Sequence, residues 1–114
     1  KSEGNQYFSY VYVGDAVSAI LHLLLEGEKG EAYNVSSENF NLRLKELAQQ
    51  LADISGKQVI FELPDEIEQK GFSKANTAIL DNEKIKMTGW TPLFELKDSL
   101  VHTVELVKGE KQNV

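Results

Sequence analysis

The hydrophobic pattern is densest near the start, where Phe8-Ser9-Tyr10-Val11-Tyr12-Val13 passes through Gly14-Asp15 into Ala16-Val17-Ser18-Ala19-Ile20-Leu21-His22-Leu23-Leu24-Leu25. Alternating Tyr and Val favour extended backbone, Gly14 interrupts the run, and Asp15 offers a carboxylate to the free N–H groups of a new helix. The pattern therefore predicts a strand from Gln6 or Tyr7 to Val13 and a buried helix over residues 16–26. In that helix Val17, Ile20, Leu21, Leu24 and Leu25 recur at three- and four-residue spacing and form the expected inward stripe, with Ala16, Ala19 and Leu23 widening it. So wide an apolar face predicts packing on two sides, with Gly27 placed to stop the helix.

Further along, residues 31–37 (EAYNVSS) are short and β-favouring, and their separation from the first strand by a helix predicts a βαβ unit with parallel strands. A second amphipathic helix, starting between Asn41 and Leu44, places Leu44, Leu47, Ala48, Leu51 and Ile54 on one face and has Gly56 just past its end. Residues 58–63 read as a third strand closed by Pro64. Residues 65–70 suit a helical turn and residues 71–77 a loop. Asp81 is positioned to cap a short helix over 82–88 with Ile85 inward, Gly89-Trp90-Thr91-Pro92 makes a stop and turn with Trp90 in the core, and a last helix over 95–108 aligns Leu96, Leu100, Val104 and Val107. The remainder, from Gly109 on, reads as a frayed tail.

Composition narrows the classes of partner. The chain has 114 residues, enough for one domain with a real core, and its net charge of −6 argues against nucleic-acid or anionic-membrane surfaces, which need clustered Lys and Arg. It has no cysteine, which excludes thiolate chemistry and disulfides and favours a reducing, cytoplasmic setting. The apolar run from Val17 to Leu25 is too short to span a bilayer. The chain opens on Lys1, almost inside a strand, and its only methionine is Met87, so residue 1 is expected not to be a biological start. If Gly4-Asn5 is a hairpin turn, the strand after it lacks its first partner, and the unpaired edge offers a homodimer contact.

The residues show no Gly-rich phosphate loop between a strand and a helix, no Walker lysine, no nucleophile elbow, and two isolated histidines, His22 and His102. His22 reads as a partly buried helix histidine, since no second metal ligand stands three or four positions away. The carboxylate groups read as solvated faces rather than acid/base pairs. By themselves the residues define an α/β domain and no reaction.

A resemblance carries the reading further. The order Gly4-Asn5-Gln6-Tyr7-Phe8-Ser9-Tyr10-Val11-Tyr12-Val13-Gly14-Asp15, then Gly30-Glu31-Ala32-Tyr33-Asn34-Val35, then Asp81-Asn82-Glu83-Lys84, then Gly89-Trp90-Thr91-Pro92, resembles the C-terminal portion of the extended short-chain dehydrogenase/reductases, the NAD-dependent nucleotide-sugar epimerases and dehydratases. The likeness implies an α/β fragment of a Rossmann-type epimerase fold, with about three strands, at least two of them parallel, and three to four helices. It implies that residues 1–114 are one C-terminal, substrate-binding segment and that the NAD-binding part lies elsewhere. In the family that other part carries the Gly-rich NAD loop and the Tyr-x-x-x-Lys pair. Here the residues four positions after Tyr7, Tyr10, Tyr12 and Tyr33 are Val11, Gly14, Ala16 and Ser37, so no tyrosine qualifies as the catalytic one.

The same resemblance implies the site residues. Many family members have, in place of Phe8, an Arg that pairs with the substrate pyrophosphate; an aromatic ring cannot do so, and Lys70 is the candidate replacement cation. Gln6 and Tyr10 align with residues that line the nucleotide pocket in relatives, each standing open between ligand contact and plain packing. Asn34 and Asp15 are expected to be structural. The implied function is the substrate-binding part of a nucleotide-sugar epimerase or dehydratase, without cofactor and inactive alone, with NAD and a nucleotide sugar serving the parent protein. A stand-alone module binding a nucleotide sugar or a partner subunit is the alternative, and a self-associating structural domain a third.

Overall fold

A computed structural model describes residues 1–72 and 74–112. The element order is β1 (Tyr7–Ser9), α1 (Val13–Glu26), a single 3-10 turn (Glu38–Phe40), β2 (Asn41–Arg43), α2 (Leu44–Ser55), α3 (Glu66–Gln69), β3 (Thr77–Ala78), α4 (Glu83–Lys86) and α5 (Leu96–Gln112). The strands form one mixed sheet in the order β2-β1-β3. Phe8 stands opposite Leu42 in the antiparallel pair and opposite Ala78 in the parallel pair. The α/β class and the presence of two parallel strands agree with expectation, although the pair is not the expected one, and the described α-helices number five against the three to four that the resemblance implies.

Several boundaries differ from expectation for physical reasons. The first strand stops at Ser9 because α1 already begins at Val13, and Gly14 is the second residue of the helix rather than its breaker. Asp15 lies inside the first turn instead of capping it. Its fully buried carboxylate accepts hydrogen bonds from the backbone N–H of Leu93 (2.8 Å) and Phe94 (3.3 Å), so it ties α1 to the distant segment that leads into α5. Residues 31–37 do not join the sheet. Side-chain bonds to main-chain oxygens hold them instead, from Asn34 to Asp81, from Ser36 to Leu80 and from Asn82 back to Ser36. The parallel partner of β1 is thus β3, and its other neighbour is β2, which makes β1 the central strand; the open edge expected over Gln6 to Val13 is closed on both sides of Tyr7 and Phe8. Residues 58–63 also lie outside the sheet. The loop expected over 71–77 gives way to β3 at Thr77, and Ser73 falls outside the described residues. The final helix continues to Gln112, and of the expected frayed tail Asn113 and Val114 are outside the described residues.

Elsewhere the local chemistry acts as read. Gly56 ends α2 in the left-handed conformation (φ 66°), where a side chain is disfavoured. Gly4 (φ 71°) is buried against α2, and a Cβ there would stand 2.8 Å from Lys45 Cβ, so this backbone approach requires glycine. Asp81 accepts from the Glu83 N–H (2.8 Å) at the start of α4. One core cluster joins Ala19, Ile85 and Trp90, with Leu23, Tyr33 and Val35 against it. Trp90 also donates its indole N–H to Ser18 Oγ (3.0 Å), which satisfies its one polar atom. Other buried apolar residues are Phe40, Leu42, Ala52 and Leu100.

The largest departure concerns α1. Its narrow face of Asp15, Ala19, His22 and Leu23 meets the rest of the chain, because small Ala19 admits Ile85 and Trp90 to close range. Its predicted inward stripe faces outward: Val17, Ile20 and Leu21 are at least half exposed, and Leu24 and Leu25 are 76% and 83% exposed. The chain as a whole exposes 8484 Å², where a compact protein of 12.8 kDa is expected to expose about 6,300 Å². Its radius of gyration is 16.9 Å against about 13 Å for a compact domain of this length. The surplus surface and the bare stripe together describe a body with an uncovered side.

Two substitutions separate the two faces of the core. Ile85→Ala, at a site with no solvent exposure, is expected to cost about 2–5 kcal/mol in urea unfolding, whereas Leu24→Ser on the bare stripe is expected to stay within about 0.5 kcal/mol. Asp15→Ala, which strands the two N–H groups of Leu93 and Phe94, is expected to cost about 1–3 kcal/mol by the same measurement.

Candidate substrate-binding cavity

The sheet register and the N-terminal turn shape one polar cavity. Tyr7 stands opposite Arg43 on β2 and opposite Thr77 on β3, and side chains opposite one another on neighbouring strands share a face. Residues 2–6 run alongside, fixed where Gly4 and Gln6 carbonyls accept the N–H groups of Lys45 and Leu44. Across the opening lies α3, whose start is locked by Asp65 accepting from Ile67 and Glu68 N–H while the Glu68 carboxylate accepts from Asp65 N–H. The hollow they form is open to solvent, with a volume of about 500 Å³, and is lined by Gln6, Arg43, Pro64, Gln69, Asn76 and Thr77 among others.

Of the four residues proposed from sequence, only Gln6 lines this cavity. Phe8 is half-buried in the middle of the sheet, between Leu42 and Ala78. Tyr10 lines a separate apolar cavity of about 320 Å³ between the entry to α1 and helices α2 and α5, with Phe40, Leu47, Leu51 and Leu100. Lys70 is exposed at the end of α3, next to the cavity-lining Gln69 but not itself in the wall. The structure does not bring the four together.

The cation in the wall is one the sequence reading passed over. Arg43 donates from Nη1 to the Asn5 carbonyl (2.7 Å), and its guanidinium carbon sits 5.6 Å from the centre of the Tyr7 ring. Its backbone N–H is capped by the Glu46 carboxylate (2.6 Å), which fixes the turn from β2 into α2. A signal was available, since Arg43 is the only arginine in the chain, but nothing in the residue pattern showed that β2 would pair beside the N-terminal turn.

Other polar groups are absorbed by structure. His22 Nε2 contacts the carbonyl (3.0 Å) and hydroxyl (2.9 Å) oxygens of Thr88, the structural role expected of it. His102 bonds the Tyr12 hydroxyl, and Tyr12 packs edge-on to Phe94 (4.8 Å between ring centres). On the far side, Lys84 bonds Glu31 (2.5 Å) and the Ala32 carbonyl (2.9 Å), and Lys86 bonds Glu38 (2.7 Å). The Lys84 bond holds the Glu31 carboxyl below its ordinary value and Glu31 holds Lys84 above its own; Lys86 and Glu38 act on each other in the same way. Among the described residues no group of His, Asp and Glu is arranged to hold a metal ion, and no helix is long and apolar enough to cross a membrane.

A dinucleotide does not fit the one strand-to-helix junction that resembles a cofactor loop. Tyr10-Val11-Tyr12 links β1 to α1 without a glycine cradle, the Tyr12 and Phe94 rings pack at the helix start, and the buried Asp15 carboxylate in the first turn opposes phosphate.

With this geometry in view, the fold is that of a part of the Rossmann-type dehydratases. The dTDP-glucose 4,6-dehydratase of Bacillus anthracis, solved with NAD, superposes on 97% of this chain and 34% of its own with a TM-score of 0.82 at 24% identity. RMD of Pseudomonas aeruginosa, solved with NADPH, covers 89% of this chain and 32% of its own (TM-score 0.71, 26% identity). No family model matches the chain. Its homologues are dTDP-glucose 4,6-dehydratases and related NAD(P)-dependent sugar dehydratases. The mouse dTDP-D-glucose 4,6-dehydratase is 30% identical over 110 residues, and the low-salt glycan biosynthesis protein Agl12 of Haloferax volcanii is 30% identical over 112. Those alignments take in 90% and 96% of this chain but 29% and 34% of the relatives, so the chain spans about a third of their length.

The paired charges set a pH window. Glu31 and Glu38, with folded values below the ordinary 4.5, contribute stability that is fully present above pH 4.5 and lost as the pH falls through the folded values. Lys84 and Lys86, raised above 10.5, contribute stability that is present below pH 10.5 and lost as the pH rises through their folded values. In urea titrations at a series of pH values, the gap between the native chain and the Lys84→Met, Lys86→Met double variant is expected to be widest between these limits and to narrow outside them.

Proposed function

We propose that this chain is the C-terminal, substrate-binding segment of an NAD-dependent nucleotide-sugar dehydratase or epimerase and is not catalytic by itself. The observation that carries the reading is the uncovered side of the molecule. A helix that turns Leu24 and Leu25 to solvent, on a chain with roughly 2,200 Å² more surface than a compact one, has the anatomy of a part cut from a larger body. The relatives, about three times as long, supply the scale of that body.

In the whole protein the task of these residues is to hold the nucleotide sugar. Gln6, Gln69 and Asn76 carry amide groups that can donate and accept in the polar cavity, and Thr77 adds a hydroxyl. NAD, when bound by the remainder of the protein, supplies the redox chemistry; this segment orients the sugar toward it and excludes water by closing over it. The Tyr10 cavity, walled mainly by apolar aliphatic and aromatic side chains, suits packing rather than a nucleotide.

Calorimetric titration of the chain with UDP-glucose and dTDP-glucose is expected to give saturable heat for at least one of them, with no 4-keto product when NAD is added. Absence of heat with both ligands would remove the binding role, and product formation would remove the claim that the segment is inactive alone.

A further inference from the structure

We infer that Arg43 is the diphosphate-binding residue of this chain, making the polar cavity beside β2 an anion subsite for a nucleoside diphosphate; the identity of that anion rests on the nucleotide-sugar reading above. Phe8, at the position where the resemblance implies a guanidinium, is half-buried on β1 opposite Leu42 and Ala78 and carries no charge. Lys70 stands outside the wall. Arg43 is inside it, and it is the chain's only arginine.

Three properties suit the role. The guanidinium is a fixed fork of five donors, of which the Asn5 carbonyl takes Nη1 (2.7 Å), so the group is oriented without being consumed. The Tyr7 ring beneath it (5.6 Å) restrains the plane of the fork, so less freedom is lost when a diphosphate binds. The surrounding charge is also managed. The one carboxylate in the wall, Glu3, accepts from the Asn5 side-chain amide (2.8 Å), whose oxygen in turn takes Lys45 Nζ (2.9 Å), leaving a second cation close by. On a chain of net charge −6, this corner is where arginine, lysine and the neutral amides of Gln6, Gln69 and Asn76 converge.

Because there is a single arginine, phenylglyoxal can label only Arg43 among arginine side chains, and mass spectrometry of the labelled peptide reads its accessibility directly. Saturating inorganic pyrophosphate or UDP is expected to slow that labelling at least fivefold, and calorimetry is expected to show Arg43→Gln binding UDP about ten- to a hundredfold more weakly than the native chain, with Lys70→Gln unchanged. Arg43→Lys, which keeps the charge and a donor for Asn5 but loses the fork, is expected to fall between them and serves if Arg43→Gln does not fold. Labelling that is indifferent to both anions, or native affinity in the folded variants, overturns the assignment. Protection by pyrophosphate and UDP with no heat from either sugar nucleotide would uphold Arg43 while overturning the sugar reading. Sugar-nucleotide binding that ignores Arg43 would do the reverse.

Discussion

The buried carboxylate of Asp15 is the constraint on which the arrangement of the helices turns. A carboxylate removed from water must find donors, and the two it finds are the main-chain N–H groups of Leu93 and Phe94, far along the chain. That requirement fixes the start of α1 against the segment entering α5. It also rotates α1 about its axis, so that Ala19 and His22 face Ile85, Trp90 and Thr88 while the leucine stripe points away. Ser18 and Trp90 continue the same seam, with the indole N–H on the serine hydroxyl and that hydroxyl donating to the Asp15 carbonyl. One polar side chain in the first helical turn therefore decides which face of the most hydrophobic helix is covered.

This accounts for what the sequence could and could not reveal. Where an element's fate is local, the reading held: Gly56 closes α2, Asp81 begins α4, Ile85 and Trp90 are core, and His22 is structural. Where it depended on partners distant in sequence, it did not. The period of the apolar residues in α1 marks a face suited to burial, but not which surface covers it, and here none of the described residues does. Residues 31–37 have the composition of a strand, yet their neighbours are loop carbonyls and amides reached by Asn34, Ser36 and Asn82 rather than a ladder. The cavity was partly legible. Gln6 was named, but Arg43 could be placed beside it only once β2 was known to pair antiparallel with β1.

The resemblance and the geometry complement each other. The order of short motifs pointed to the sugar dehydratases, and the homologues and fold agree. The same motifs drew attention to Phe8, which is half-buried on β1, whereas the polar cavity is lined by Gln6, Arg43 and the segment around α3. A family pattern locates a region; the cross-strand register decides which side chains occupy it.

The outward stripe of α1 also bears on how such a chain fares in a cell. Quality control recognises exposed leucine, isoleucine and valine, and to a holdase chaperone a correctly folded α1 presents the same signal as an unfolded segment. With that helix left bare, the lifetime of such a chain would be governed by how long the stripe stays uncovered rather than by how fast the chain folds.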